Sequence, residues 1–168
     1  NLPWSTKAGE DAAQFWADEY VQTDSTVYGG VSATLATSAA TVSAQQNGEI
    51  VRSTVVAPDG RFVLAFLAKG TYTVVITADG HATGVVTSVP VGTATVTTLN
   101  GTRTAIVLPT SPMNTVTGHI TASTGSGTNT VKVPVDDALV RAMQNVAGTV
   151  VQVNGQQVDQ DGRYSFRL

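Results

Sequence analysis

Histidine and carboxylate side chains are the first place to look for chemistry, and the chain offers few. His81 and His119 are the only histidines, and cysteine is absent. A zinc centre needs three or four nitrogen, sulfur or carboxylate donors converging on one ion. No HxH or HExxH spacing supplies two of them from one element. His81 follows a turn and reads as a surface or rim residue. His119 sits in a strand pattern and reads as solvent-facing or partly buried. Serine is plentiful, but no Gly-x-Ser-x-Gly elbow presents one as a nucleophile. No two carboxylates are fixed relative to each other by a motif, as glycoside hydrolysis requires.

One carboxylate pair has a recognisable look. Asp159-Gln160-Asp161-Gly162 begins like a calcium loop of the Asp-x-Asp-Gly type. It then lacks the further Asp or Asn ligands and the twelfth-position Glu, because the chain continues as Arg163-Tyr164-Ser165-Phe166. Its counterpart Asp59-Gly60 has no second Asp. Both read as hairpin turns. Weak calcium binding at Asp159 and Asp161, with Asp136 or Asp137, is the minor alternative. Gly125-Ser126-Gly127 reads as a flexible loop, since a phosphate cradle would continue into Lys-Ser/Thr and a helix. The residues therefore predict no enzyme and no cofactor.

The elements that would position these groups fall into three stretches. Residues 1–26 hold both tryptophans, Trp4 and Trp16, and the acidic residues Glu10, Asp11, Asp18, Glu19 and Asp24. Ala8, Ala12, Phe15, Trp16, Glu19 and Tyr20 fall at helical spacing, with Ser5 or Thr6 as N-cap. The spacing predicts a short amphipathic helix over 8–21 in an otherwise irregular arm. Its aromatic face either caps the core of the following domain or docks on a protein partner or second subunit through Trp4, Phe15, Trp16 and Tyr20.

From Val27 to Pro112 the pattern is strands and turns. Tyr28–Leu35, Ala40–Gln46, Ile50–Val56, Thr83–Val89, Thr93–Leu99 and Arg103–Leu108 are candidate strands, and Asn47-Gly48 is the strongest hairpin dipeptide. Between them, Pro58–His81 organises the chain. Phe62, Leu64 and Phe66 alternate with Arg61, Val63 and Ala65, as in a strand with one face buried. Lys69-Gly70 breaks it. Tyr72, Val74 and Ile76 begin a second alternating strand, closed by Asp79-Gly80. The stretch reads as a β-meander, and the about eight short strands as a sandwich or small barrel.

After Ser111-Pro112 the pattern restarts. Thr-Val-Ser-Ala-Gln-Gln at 41–46 corresponds to Leu-Val-Arg-Ala-Met-Gln at 139–144, and Asp-Gly-Arg-Phe at 59–62 to Asp-Gly-Arg-Tyr at 161–164. Val116-Thr117-Gly118-His119-Ile120 matches Val27-Tyr28-Gly29-Gly30-Val31. Residues 113–168 therefore read as a partial second repeat, lacking strands equivalent to 71–108. A sandwich short of strands leaves open edges, which a neighbour's strand or the aromatic arm could fill.

The succession Gly29, Val42 and Ala44, Asp-Gly-Arg-Phe (59–62), Gly-Thr-Tyr-Thr-Val (70–74) and Ala-Asp-Gly-His (78–81) resembles the carboxypeptidase regulatory-like domain. The resemblance covers 27–110 well and 114–168 in part. His81 departs from it, standing where the family usually has a large aromatic. It implies tandem prealbumin-like (transthyretin-like, Ig-like) β-sandwiches, an all-β fold, no catalytic residues, and a role as spacer, stabiliser or binding module. Bacterial surface lipoproteins carry similar tandem repeats.

Composition agrees with that class. Only 12% of the 168 residues are charged, with a net charge of −3, against a usual share of about 25%. Thr, Ser, Gly, Ala and Val fill the gap, as in exported β proteins at the bacterial surface or in the periplasm. No Lys/Arg cluster invites nucleic acid, and no apolar run reaches the ~18–20 residues that span a membrane. No signal peptide is present within the numbering. The leading expectation is a non-enzymatic structural or protein-binding module. A subunit of an extracellular filament or surface assembly, joined by strand or arm exchange, is the alternative. Carbohydrate binding comes third, because its aromatic platform would have to come from Tyr28, Tyr72 and Tyr164, all expected in or near the core.

Overall fold

The computed structural model describes residues 25–93, 96–99 and 105–168. They form two compact units dividing between Ser111 and Pro112. Nearly all regular structure is β, and no helix among the described residues is long and apolar enough to cross a membrane. The predicted helix over 8–21 lies outside the described residues.

Unit 1 contains β1 (Ser25–Gly30), a single helical turn α1 (Ala33–Ala36), β2 (Thr41–Gln46), β3 (Glu49–Val55), β4 (Arg61–Leu67), β5 (Gly70–Thr77), β6 (Gly84–Val91) and β7 (Val96–Thr98). They build two sheets, in the orders β4-β1-β7 and β3-β2-β5-β6. All pairings are antiparallel except β1 with β7. Alternating side chains of both sheets meet in the middle: Val27, Phe62, Leu64 and Leu67 from one, and Val42, Ala44, Tyr72, Val74, Ile76 and Val89 from the other. Each buried aliphatic contributes roughly 1.5–3 kcal/mol. The Tyr72 hydroxyl, buried with its ring, donates to the Ala68 carbonyl at 2.7 Å. Pro90, which lacks an N–H, sits in β6 at the edge of its sheet, where a missing donor is tolerated.

Five expectations are corrected. Pro58–His81 is not a meander, because β4 and β5 belong to opposite sheets; the short Ala68-Lys69 link crosses the sandwich. The Asp59-Gly60 turn likewise joins β3 and β4 across sheets, with Gly60 at φ +86° and its N–H bonded to the Ala57 carbonyl. The predicted strand Tyr28–Leu35 stops at Gly30, since the Ser32 hydroxyl accepts from the Leu35 N–H and caps α1, which buries Leu35. Phe66 is 48% exposed rather than core. Two residue steps on β1 (Ser25 to Val27) face three on β4 (Leu64 to Leu67), so a bulge turns Phe66 outward at φ +59° and hands the core position to Leu67. Within the expected strand Arg103–Leu108, the described residues 105–108 contribute only an isolated bridge, Ile106 to Val31.

Unit 2 contains β8 (Thr115–His119), β9 (Thr121–Thr124), β10 (Val131–Pro134), β11 (Leu139–Val146), β12 (Thr149–Gln157) and β13 (Arg163–Arg167). They pair two by two, β8 with β13, β9 with β10 and β11 with β12. The β8–β13 register copies β1–β4: Gly118 faces Tyr164 as Gly29 faces Phe62, and Val116 faces Phe166 as Val27 faces Leu64. Ile120 donates to the Gly162 carbonyl at 2.7 Å, as Val31 does to Gly60. The β11–β12 hairpin has its bulge after Ala142, where β2–β3 has one after Ala44. Val158 bonds Ala138 at 3.0 Å, as Val56 bonds Ala40. The repeat is therefore structural down to individual backbone hydrogen bonds. The difference lies in the connection. Where unit 1 has α1, unit 2 inserts the β9–β10 hairpin.

Candidate functional site

The Asp159–Arg163 turn shows what its carboxylates do. Asp159 Oδ1 accepts from the Asp161 N–H at 2.9 Å and from the Arg163 N–H at 2.8 Å, while Gly162 donates to the Asp159 carbonyl at 2.8 Å. The side chain holds its own turn, as Asp does in Asx-type loops. Asp59 does the same with one bond, accepting from the Arg61 N–H at 3.0 Å, and its other oxygen lies 3.8 Å from the Arg61 guanidinium. Among the described residues no group of three or more His, Cys, Asp or Glu could hold a metal ion. The arrangement is that of two turns built alike.

The histidines are far apart in role as well as in sequence. His81 is half-buried, with Nδ1 2.9 Å from the Asp79 carbonyl and its backbone bridged to Thr110. His119 is exposed at the end of β8. It lines a groove of about 460 Å³ with Thr117, Gly118, Gln156, Asp159 and Tyr164. The structure thus brings His119 and Asp159 to one groove. Sequence spacing carried no signal of this, because residues 120–162 separate β8 from β13 in the chain. Gln156 bridges its wall, Oε1 accepting from the Ser165 N–H at 3.2 Å.

The aromatic residues divide. Tyr28 and Tyr72 are buried and Tyr164 is half-buried, its ring 5.6 Å from that of Phe166. They offer no exposed platform for a sugar ring. Trp4, Phe15, Trp16 and Tyr20, the candidate docking residues, lie outside the described residues.

What the described residues do present is strand edge and apolar surface. In unit 1, β2 is flanked by β3 and β5, and β1 by β4 and β7. In unit 2 the equivalents β11 and β8 each pair with one strand among the described residues, β12 and β13 respectively. Side-chain exposure follows. Val27 is 0% exposed and Val116, in the same register, 47%. Val42 and Ala44 are fully buried, whereas Val140 and Ala142 are half-buried. Leu139, Met143 and Val150 on the long hairpin are exposed outright. Such edges are what added strands pair with. Arrangements of this kind can bind polypeptide.

Comparison with known proteins gives three findings. The family model of the carboxypeptidase regulatory-like domain matches residues 16–103. No curated protein matches the chain. A solved structure of a type II cohesin–X-dockerin complex from Acetivibrio cellulolyticus, an N-terminal interface mutant, contains a chain with 28% sequence identity and a TM-score of 0.35. That match covers 44% of this chain and 51% of the other, so this chain spans about half the length of the solved one.

Proposed function

The chain belongs to the carboxypeptidase regulatory-like domain family, and from that membership we propose that it is a non-enzymatic module binding other proteins at the bacterial cell surface or in the periplasm. The observation that carries the reading is the use made of polar and apolar groups. The interior of unit 1 is closed by aliphatic side chains, the turn carboxylates hold their own loops, and apolar side chains left outside cluster on strands. Export is supported by the low charge content and the richness in Thr, Ser and β-branched residues.

A second reading, a subunit of an extracellular filament or surface assembly joined by strand or arm exchange, is favoured by one observation: among the described residues, the apolar side chains of Leu139, Met143 and Val150 stand exposed on the β11–β12 hairpin.

Light scattering of the full chain over a wide concentration range, beside assays with ester, peptide and glycoside substrates, tests both. The module reading expects a folded β protein without turnover. Turnover abolished by one side-chain substitution in a folded variant would sink it. Mass that rises with concentration supports the assembly reading; a monomer at every concentration removes it.

A further inference from the structure

The four-stranded sheet of unit 1 is buried on the side that an open sandwich leaves to water. Along β2, Val42 and Ala44 point into the core, so Ser43 and Gln45 point away from it. On β5, Val75 pairs with Ser43 and shares that outward side. Yet Ser43 is 6% exposed, and Gln45 and Val75 are 1% exposed each. The Gln45 carboxamide donates to the Ser43 hydroxyl at 3.0 Å, within the covered patch. The cover stops short of the β3 edge, where Val55, on the same side and paired with Thr41, is 74% exposed. No described strand of unit 1 supplies it, because the second sheet packs on the inner side.

Unit 1 has three further stretches, 1–24, 94–95 and 100–104. The last two are too short. Leu99 donates to the Tyr28 carbonyl and Ile106 to that of Gly30, so 100–104 is tied at both ends to β1 in the opposite sheet. A loop of that length reaches out about 10 Å, which is only the spacing of the two sheets. Residues 94–95 merely join Thr93 to the start of β7. Residues 1–24 have both the length and the exit. The Ser25 hydroxyl, at the start of β1, donates to the Gly92 carbonyl just past β6. The preceding chain therefore departs beside an edge strand of the covered sheet. A helix over 8–21, as the spacing predicts, is about 21 Å long, close to the width of four strands at about 4.8 Å each. We propose that residues 1–24 fold back over the outward side of β2 and β5 of their own chain, setting Phe15, Trp16 and Tyr20 against Val75 and the aliphatic part of Gln45. The inference is independent of the protein-binding reading. It commits the aromatic stripe to the chain's own sheet, so that a partner reaching those rings has to displace them.

Both tryptophans, Trp4 and Trp16, lie in that segment, so indole signals report on it alone. Cysteine is absent, so a nitroxide on Ser53→Cys is the single label. Ser53 is exposed on β3 and pairs with Ser43, beside the covered patch. In the full chain, the expected result is selective broadening of the Trp16 indole N–H resonance by that nitroxide. A mixture of isotope-labelled protein without nitroxide and unlabelled protein with it should show none. Absence of broadening in the labelled chain would overturn the proposal. Broadening in the mixture would overturn it too, by making a second copy's arm the occupant. The label sits at an exposed position, so this test does not depend on a tolerated change in the buried patch. Val75→Lys then sets a charge beneath the cover. It should raise acrylamide quenching of the tryptophans severalfold while the far-UV β signature is kept. Val55→Lys, on the same side but already exposed, should leave quenching as in the parent. Equal quenching in the two folded variants would count against the proposal as decisively as a silent nitroxide.

Discussion

The two units use the same frame of four strands and bury it to different depths. Unit 1 adds β5, β6 and β7 to that frame, and its central strands β2 and β5 are buried along most of their length. Unit 2 repeats the frame with the hairpin bulge, the Asp-Gly turn and the paired glycine–aromatic register intact, yet Val151, Val158 and Phe166 are its only buried large apolar side chains among the described residues. Local features therefore survive without a complete core. Turn chemistry and bulges are fixed by a few residues and their backbone bonds. Burial depends on strands distant in sequence. The comparison separates what a short segment determines from what the whole sandwich determines.

The largest effect should come where the units are most alike. Gly60 and Gly162 have φ of +86° and +75°, and a Cβ on either would strike a backbone carbonyl, that of Val31 or Ile120 respectively. Gly60→Ala and Gly162→Ala should each cost about 3 kcal/mol, combining left-handed strain with a collision that no side-chain rotation relieves. Urea denaturation with native-state amide exchange reads each unit separately. If only one substitution is costly, the two turns are not equivalent.

The next pair should split the units. Val27→Ala removes two methyl groups from a fully buried site and should cost about 2 kcal/mol. Val116→Ala, at the same register position but 47% exposed, should cost about 0.5 kcal/mol or less. Equal losses would mean that Val116 is covered in solution.

Much of this frame was legible in the sequence. Asn47-Gly48 gave the hairpin, Asp-Gly-Arg followed by an aromatic gave the repeated turn, and Tyr72, Val74 and Ile76 gave a buried face, because each signal lies within a few residues. Sheet membership was not legible. A tight turn looks the same whether its strands pair or cross the sandwich, so β4 and β5 read as neighbours although they lie in opposite sheets. The outward turn of Phe66 was hidden too, since period-2 alternation counts residues and cannot see one inserted by a bulge. The groove joining His119 to Asp159 depends on the long-range β8–β13 pair and left no local trace.

A smaller difference lies inside the shared turn. Asp159 binds two backbone N–H groups and Asp59 one. Asp159→Ala should destabilise unit 2 by about 1 kcal/mol, and Asp59→Ala should cost unit 1 about half as much, because water replaces part of each exposed bond. The same denaturation series checks both. Calcium added to the parent protein should shift neither transition, since the Asp159 oxygen is already engaged by its own turn. A calcium-dependent rise confined to unit 2 would return Asp159 and Asp161 to the status of ligands.

The smallest effect tests whether the hairpins are held by their turns or by their length. Asn47 and Gly48 have φ of 52° and 75°, and Ala147 and Gly148 have φ of 50° and 89°. Both loops thus place two residues in the positive-φ region, as a type I′ turn demands, and Asn tolerates that region better than Ala. Unit 2 carries the poorer residue, but its hairpin has four cross-strand pairs beyond the bulge, from Met143–Gln152 to Val146–Thr149, where unit 1 has two. Extra pairing compensates for the turn if the ladder is what holds the strands together. Ala147→Asn should then stabilise unit 2 by about 0.5 kcal/mol, and Asn47→Ala should weaken unit 1 by a similar or larger amount, since its short ladder has less to fall back on. Exchange rates of the amides between bulge and turn give the answer residue by residue. Slower exchange at Gln144–Val146 in Ala147→Asn, with no change before Ala142, would locate the gain in the turn. A change spread along all of β11 would instead show that the hairpin opens as one piece, and that its length rather than its turn sets its stability.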